Sequence, residues 1–524
     1  MTRKLILLIC VVLVVSCQNA TVEVKREKPD LSNTDFIYVK DNHFELRGKR
    51  FFPVMLNYCI SFRTIDKGLV VSPFINYEKH EEFEYNTKKE TDDQIRGHFK
   101  LIKEMGFNCL RVTFDQISEK NEKYYYSNFS ISNKYEKILA GFENFINIAA
   151  EEDLRIMVLL KPPFDESLEK FTIKFLKKFS ENPTVFAYDF FNKPLYLDPE
   201  PKRSKKSAKE VQLKWAEWMQ QYAPNQLFTI GFTEPIEVFE WDPEMSPVDF
   251  VCFHTYNPLK VKSEIYWYSQ YINKPVMIGE TALPANNDSI TYAEQENFAK
   301  EISEYAIDCG VAGFGWWDFQ EDLSQTHSFE AMYSGILNHE GTTSTADSAH
   351  TIIGTVKPVA EAIKKISEYT SKNIKEKPVN YYNNLGYNNF VIKGKVINQE
   401  TKQPIEGAVV RGWTKSWDIA WNTYSDENGN FTLYSNDKYT HFAISAPHYA
   451  TKSFNKKLDY TKITGENFDI NNPPNKDLEY QKIYYQTFLK DSATSVFDFE
   501  PAKFNQAKFE GDMGEIKLKP IKPF

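Results

Sequence analysis

The sequence predicts an α/β protein, a closed (β/α)8 barrel followed by a small all-β sandwich. Three observations carry that expectation. Between Phe51 and Tyr369, short β-rich runs alternate with helical stretches, as βα units around a parallel sheet require. Counting from Phe51 gives eight strand-like runs, the number that closes a TIM barrel. Beyond a charged, Asn-rich stretch the helical period disappears and only strand-like alternation remains.

The elements follow in order. Arg3 and Lys4 precede the apolar run Leu5 to Val15, too short to span a bilayer as a stable helix, so residues 1–17 read as an export signal. The run ends in Val14-Val15-Ser16-Cys17, which resembles a bacterial lipobox. That resemblance implies a diacylated Cys17, a membrane partner reached through the lipid, and a cell-envelope location, periplasmic or at the outer-membrane surface. A polar tether is expected over 18–35 and the barrel over 36–370. Strands are expected at Phe51–Cys59, Asn108–Phe114, Arg155–Leu160, Val185–Phe191, Leu227–Gly231, Phe250–His254, Val276–Glu280 and Gly313–Trp317. Helices are expected at Thr91–Met105, where Ile95, Phe99 and Ile102 share a face, and at Tyr135–Glu152, Ser167–Phe179 and Val359–Tyr369. A linker is placed at 371–389. Over 390–524, Phe390–Val396, Gly407–Trp413, His441–Ala446 and Gly514–Leu518 read as strands, with a turn at Asp426–Asn430.

Composition narrows the partners. Lys and Arg total 63 against 72 Asp and Glu, with no basic stripe, which excludes nucleic acid as the expected partner. Aromatic residues reach 15%, suiting a large core or a sugar-stacking cleft equally. Cys10 leaves with the signal; Cys59, Cys109, Cys252 and Cys309 sit in apolar runs, none at metal-ligand spacing, and read as free core residues.

Five segments, taken in order, resemble the clan A glycoside hydrolases, the group of cellulases, β-mannanases and β-galactosidases. Phe44 to Phe52 leads to Asn57-Tyr58, and Lys103-Glu104-Met105-Gly106-Phe107-Asn108 leads to Leu110-Arg111-Val112. His254-Thr255-Tyr256 follows the sixth strand, Lys274-Pro275-Val276-Met277-Ile278-Gly279-Glu280 forms the seventh, and Gly315-Trp316-Trp317 the eighth. The resemblance covers about residues 44 to 369 and implies a carbohydrate ligand, no metal and no organic cofactor. Glu280 takes the nucleophile's position. Arg111 and Tyr256 would keep it ionised, Asn192 stands where the family contacts the sugar's 2-hydroxyl, and His254 joins the substrate-binding set. Trp317 serves core packing or sugar stacking. Gly394 through Pro404 and Gly407 to Gly429-Asn430-Phe431 resemble the carboxypeptidase-regulatory-like, transthyretin-like domain, which implies a non-catalytic spacer or packing module.

The chain departs from the family at the fourth strand. Asp189-Phe190-Phe191-Asn192-Lys193-Pro194 aligns with the family's Asn-Glu-Pro, so Lys193 stands at the acid/base position. A retaining glycosidase needs two carboxyl groups about 5–5.5 Å apart. An ammonium with an ordinary pKa of about 10.4 is a poor proton donor and, while charged, accepts none. Three readings follow: a weakened or non-catalytic relative that still binds glycans, a relocated acid with Glu234 or Asp165 and Glu166 as candidates, or a substrate whose leaving group needs no acid. Lys161 at the third strand's end, with Lys193, favours an anionic glycan. The expectation is therefore a glycoside-hydrolase-family protein acting on O-glycosidic bonds of a poly- or oligosaccharide, its acid/base atypical or lost; the alternative is a non-catalytic glycan-binding lipoprotein.

Overall fold

A computed structural model describes residues 28–65, 68–73, 87–119, 122–125, 135–200, 203–258, 260–322, 329–373, 376–378, 390–414, 420–435, 438–463 and 508–522. The expected export signal, Cys17 and the first part of the tether lie outside the described residues, as does 379–389 of the linker. No helix among the described residues is long and apolar enough to cross a membrane.

Eight strands form the barrel: Val54–Ile65, Cys109–Glu119, Arg155–Leu159, Val185–Asn192, Leu227–Phe232, Val251–His254, Val276–Glu280 and Phe314–Trp316. Each pairs in parallel with its successor, and the eighth returns to the first through Phe314–Val54 and Gly315–Met55, closing the cylinder. Arg155–Leu159 and Val276–Glu280 are buried along their whole length, because helices cover one face and the barrel interior fills the other. The first and second strands outrun their expected ends. They continue to Ile65 and Glu119 and pair there with Gly68–Pro73 and Glu122–Tyr125, which extends the rim at the carboxyl ends of the strands.

The amino ends are plugged. Strands Ile37–Lys40, His43–Leu46 and Lys49–Phe51 form a small sheet whose Ile37 and Phe44 pack in a separate apolar cluster with Met55, Cys109, Met157, Leu227 and Met277. Phe44 meets the Phe250 ring edge-on at 5.0 Å. Cys59, Cys109, Cys252 and Cys309 are free.

Helices Lys88–Glu104, Tyr135–Glu151, Glu166–Phe179 and Lys205–Tyr222 follow the first four strands, and Val261–Tyr271, Tyr292–Asp308 and Val359–Lys364 the last three. The first begins three residues before its expected start because Thr87 and Glu90 form a capping box ahead of the apolar face. The ring is incomplete at one place. After the fifth strand there is only the 3-10 turn Pro235–Phe239, since Pro243 and Pro247 prevent a helix from continuing toward the sixth strand.

Beyond the barrel, two four-stranded sheets make the sandwich. One orders Asn430–Ser435, Phe390–Asn398, Lys508–Leu518 and Tyr460–Ile463; the other orders Ala420–Tyr424, Val409–Trp413, His441–Ser445 and Lys452–Asn455. The second sheet packs on the barrel where the fifth helix is missing: Val409–Trp413 and His441–Ser445 touch Pro235–Phe239. The contact is polar as well as apolar. Trp267 Nε1 donates to the Gly407 carbonyl at 2.9 Å, and buried Lys205 donates to the Ala446 carbonyl at 3.0 Å while pairing with Asp242 at 2.9 Å.

The plug gives a direct test. Phe44→Ala removes a fully buried ring from the barrel's amino end and is expected to cost about 3–5 kcal/mol in urea unfolding. A loss under 1 kcal/mol would show that the hairpin is not part of the cooperative core.

Candidate active site

Arg111 organises the carboxyl end of the barrel. It is fully buried, and its five N–H groups all find acceptors. Nε and Nη2 donate to Asp189 Oδ2 at 3.0 and 2.8 Å, Nη2 to Asn192 Oδ1 at 3.1 Å, and Nη1 to Asn57 Oδ1 at 3.0 Å and Glu280 Oε1 at 2.5 Å. Asp189, Asn192 and Glu280 lie in the last part of the fourth and seventh strands, and Asn57 and Arg111 sit side by side within the first and second, so barrel closure brings them together. Asn57 in turn donates to the carbonyls of Gly279 at 2.9 Å and Trp316 at 3.0 Å, tying the seventh and eighth strands to the first. Asp189 Oδ1 accepts from the Gly231 N–H at 2.9 Å and the Phe191 N–H at 3.3 Å. Burial raises the Asp189 carboxyl, but its partners are all donors, which favours the ionised form.

The second oxygen of Glu280 is equally occupied. Tyr256 donates its hydroxyl to Oε2 at 2.6 Å, Lys193 Nζ lies 3.0 Å from it, and His254 Nδ1 lies 3.4 Å away. Burial would raise the Glu280 carboxyl, yet Lys193, Arg111 and the Tyr256 hydroxyl reverse that and hold it well below the usual carboxylate range, and this direction does not need a charge on His254. Burial pushes the His254 imidazole the other way, well below its ordinary value, so the ring is neutral and the balancing cations are Lys193 and Arg111. Glycine is required on both sides of that ring. A Cβ at Gly231 would lie 2.8 Å from His254 Cε1, and one at Gly279 would lie 2.9 Å from His254 Nε2 and 2.3 Å from Cys252 Sγ.

The cleft above the site has a volume of about 470 Å³, and its walls include Lys193, Glu234, Tyr256, Glu264, Trp317 and Glu330. Glu280 is 1% exposed and Lys193 30%, so the ammonium faces the cleft and the carboxylate lies behind it. Lys193 takes a left-handed backbone, φ 53°, just before the turn Pro194–Leu197, and its Nζ sits 5.1 Å from the centre of the Tyr256 ring. Trp317 is half-buried and lines the cleft, while neighbouring Trp316 is fully buried and donates to the Ser334 carbonyl at 3.1 Å.

The expected site residues Arg111, Asn192, Lys193, His254, Tyr256 and Glu280 thus form one connected cluster, with Trp317 on the same cleft. The candidate acids are placed differently. Glu234 lines the cleft but is ion-paired with Lys260 at 3.1 Å and accepts from Asn422 at 3.1 Å. Burial would raise its carboxyl; Lys260, Arg411 and Asn422 bring it well below the usual range, leaving no proton to donate near neutrality. Asp165 caps the third helix by accepting from the Leu168 N–H at 2.9 Å, and exposed Glu166 pairs with Lys170 at 2.6 Å; neither lines the cleft. Two other carboxyls there hold protons more firmly. Glu264 is raised by burial and by Glu234, and half-buried Glu330 by burial and by Glu280. Sequence reading missed both, since their helices carry no motif, and it missed Asn57 and Asp189 as members of the cluster.

Asp189, Cys252 and His254 bring possible metal-ligand atoms within 4.8 Å of one another. They do not fit a cation: Arg111 already occupies Asp189 Oδ2, and burial holds Cys252 as a thiol.

No family model matches the chain, and no curated protein matches it in sequence. Among solved structures it is similar to an exo-β-1,4-mannosidase from Opitutaceae bacterium strain TAV5, at 14% identity and a TM-score of 0.44, over 63% of this chain and 62% of that one. The chain therefore spans less than two thirds of that protein's length. It is also similar to an endocellulase from Pyrococcus horikoshii, at 13% identity and a TM-score of 0.42, over 63% of this chain and 98% of that one. An endo-β-1,4-mannanase from Thermotoga petrophila aligns at 13% identity and a TM-score of 0.38, over 78% and 98%. Likeness at this level assigns no activity.

Removing the Glu280 charge strands two cations. Glu280→Gln is expected to cost about 3–5 kcal/mol at pH 7. The folded-state carboxyl is depressed, so its stabilisation is fully present above the unfolded value of about 4.3 and fades as pH falls toward the folded value. The gap between wild type and variant in urea titrations should be constant above about pH 5 and shrink below about pH 4. A gap unchanged down to pH 3 would contradict the ionised assignment.

Proposed function

We propose that the protein binds a saccharide in this cleft and no longer cleaves ordinary glycosidic bonds. The observation that carries the reading is the Lys193 ammonium 3.0 Å from Glu280 Oε2, between a buried carboxylate and the cleft. A nucleophile must offer a lone pair to the anomeric carbon, and here both oxygens are engaged by cations and a hydroxyl. The acid half of the reaction is also missing at the fourth strand, which usually contributes about 10²–10⁴-fold. What persists is suited to binding: half-buried Trp317 and Tyr256 line the cleft beside the carboxyls of Glu234, Glu264 and Glu330.

The cation that lines the cleft is matched. Lys193, which lines the cleft, pairs with Glu280; Lys260 pairs with Glu234 from behind the wall, and Lys161 is exposed and does not line the cleft. This supports a neutral, hydroxyl-rich ligand over the anionic glycan expected from sequence. A second reading, a glycosidase with a relocated acid, is favoured by Glu330, whose raised carboxyl shares the cleft with Lys193. In that reading Glu330 protonates the departing oxygen as Glu280 bonds to the anomeric carbon, then takes a proton from the attacking water.

One set of measurements separates them. The binding reading expects affinity for members of a neutral glycan panel, roughly tenfold weaker in Trp317→Ala, and no release from natural glycosides. Lys193→Glu should raise turnover of aryl glycosides by about 10²-fold or more. Wild-type turnover of natural glycosides that Glu330→Gln abolishes would establish the second reading; no glycan affinity at all would overturn the first.

The export signal and the Val14-Val15-Ser16-Cys17 lipobox support a lipid-anchored, cell-envelope location as part of the same proposal. Labelled palmitate should enter the wild type expressed in a bacterium and not Cys17→Ser; equal labelling would refute the anchor.

A further inference from the structure

We propose that the C-terminal sandwich is part of the ligand site, with Asn422 as the positioning residue that fixes Glu234 in the cleft wall. This deepens the saccharide-binding reading above and rests on it. The starting point is the gap in the helix ring after the fifth strand, which the sandwich fills with Val409–Trp413 and His441–Ser445 against Pro235–Phe239. Glu234 is the residue immediately before that turn.

Its carboxylate is held from both modules. Barrel residue Lys260 reaches Oε2 at 3.1 Å, and sandwich residue Asn422 donates Nδ2 to the same oxygen at 3.1 Å. Arg411, adjacent in the sheet, donates to Asn422 Oδ1 at 3.0 Å, which orients the amide so that its Nδ2 faces Glu234. Lys260 is itself steered, its Nζ lying 5.5 Å from the centre of the Trp421 ring. The barrel side supplies the complementary surface. Tyr424 and Ser263 share a hydroxyl hydrogen bond of 2.8 Å, and Gly407 lies so close to the Tyr271 ring that a Cβ would approach within 2.7 Å.

The consequence for binding is specific. Oε2 is taken by Lys260 and Asn422, whereas Oε1 has a long contact of 3.4 Å with the hydroxyl of exposed Tyr196. Oε1 thus keeps a lone pair for a ligand, and its position is set by Lys260 from the barrel together with Asn422 from the sandwich. A carboxylate oxygen held in this way recognises the hydroxyl donors of a neutral saccharide with directional preference. Without Asn422 the carboxylate keeps its charge through Lys260 but loses one of the two groups that fix its orientation. The effect belongs to affinity and ligand preference rather than to charge.

The test uses the full chain with Asn422→Ala, Glu234→Gln and the double variant, titrated against a neutral glycan panel, alongside hydrogen exchange over residues 233–239. Asn422→Ala should weaken binding by about tenfold and reorder the panel, and it should add no further loss in the Glu234→Gln background. Exchange over 233–239 should quicken. If the wild type binds and Asn422→Ala leaves both affinity and order unchanged, the proposal is overturned whatever the exchange shows. If the wild type binds no glycan, the saccharide reading itself has failed. Exchange then decides separately: quickening supports a wall held by the sandwich, and unchanged protection rejects it.

Discussion

A buried guanidinium needs both neutralisation and a full set of acceptors, and Arg111 imposes that requirement on the carboxyl end of the barrel. Its fork can be satisfied only by groups arriving from several directions, here Asp189, Asn192, Asn57 and Glu280. Removing one partner of such an assembly leaves an uncompensated charge in a low-dielectric interior, which is far costlier than the pair is stabilising. The residues around Arg111 are therefore coupled. Asn57 links the first strand to the seventh and eighth through two carbonyls, so the same network that satisfies the guanidinium also fixes the strand ends that carry Glu280 and Trp317.

Charge arithmetic within that network explains the chemistry it favours. Arg111 with Asp189 and Glu280 alone amounts to one net negative charge, an arrangement that leaves a carboxylate available to an electrophilic carbon. Lys193 adds the missing positive charge on the cleft side, and the cluster becomes neutral. Neutrality lets these charges stay buried without an uncompensated ion. In the proposed reading, the one side chain of Lys193 stands where a proton donor is expected and also occupies Glu280 Oε2, because both positions lie within the same few ångströms.

Much of the site was legible because a parallel barrel places its strand ends on one face. Asn192, His254 and Glu280 close strands, Tyr256 follows one and Arg111 lies within one; the eight β-rich runs with the motif resemblance were enough to predict their meeting. Asn57 and Asp189 escaped because they lie inside apolar runs and read as core; the available signal was that an Arg within a buried strand must have an acid opposite. The capping box at Thr87 and Glu90 was also present in the sequence, three residues before the apolar period that set the expected helix start. Glu234 was read only as a candidate acid, and its pairing could not be read. Its partner Asn422 is 188 residues away on another module, and a surface carboxylate and a paired one look the same in sequence.

The gap in the helix ring joins these threads. A barrel lacking its fifth helix would leave Trp267 and the turn Pro235–Phe239 without the cover a helix gives elsewhere in the ring, an apolar surface that calls for a partner. The sandwich covers that surface and brings polar groups with it, and those groups reach the cleft through Glu234. Pro243 and Pro247, which preclude the helix, therefore do more than interrupt a repeat. They open the one side of the barrel through which a second module can touch the wall of the site, so the packing that stabilises the fold and the placement of a cleft carboxylate arise from the same local constraint.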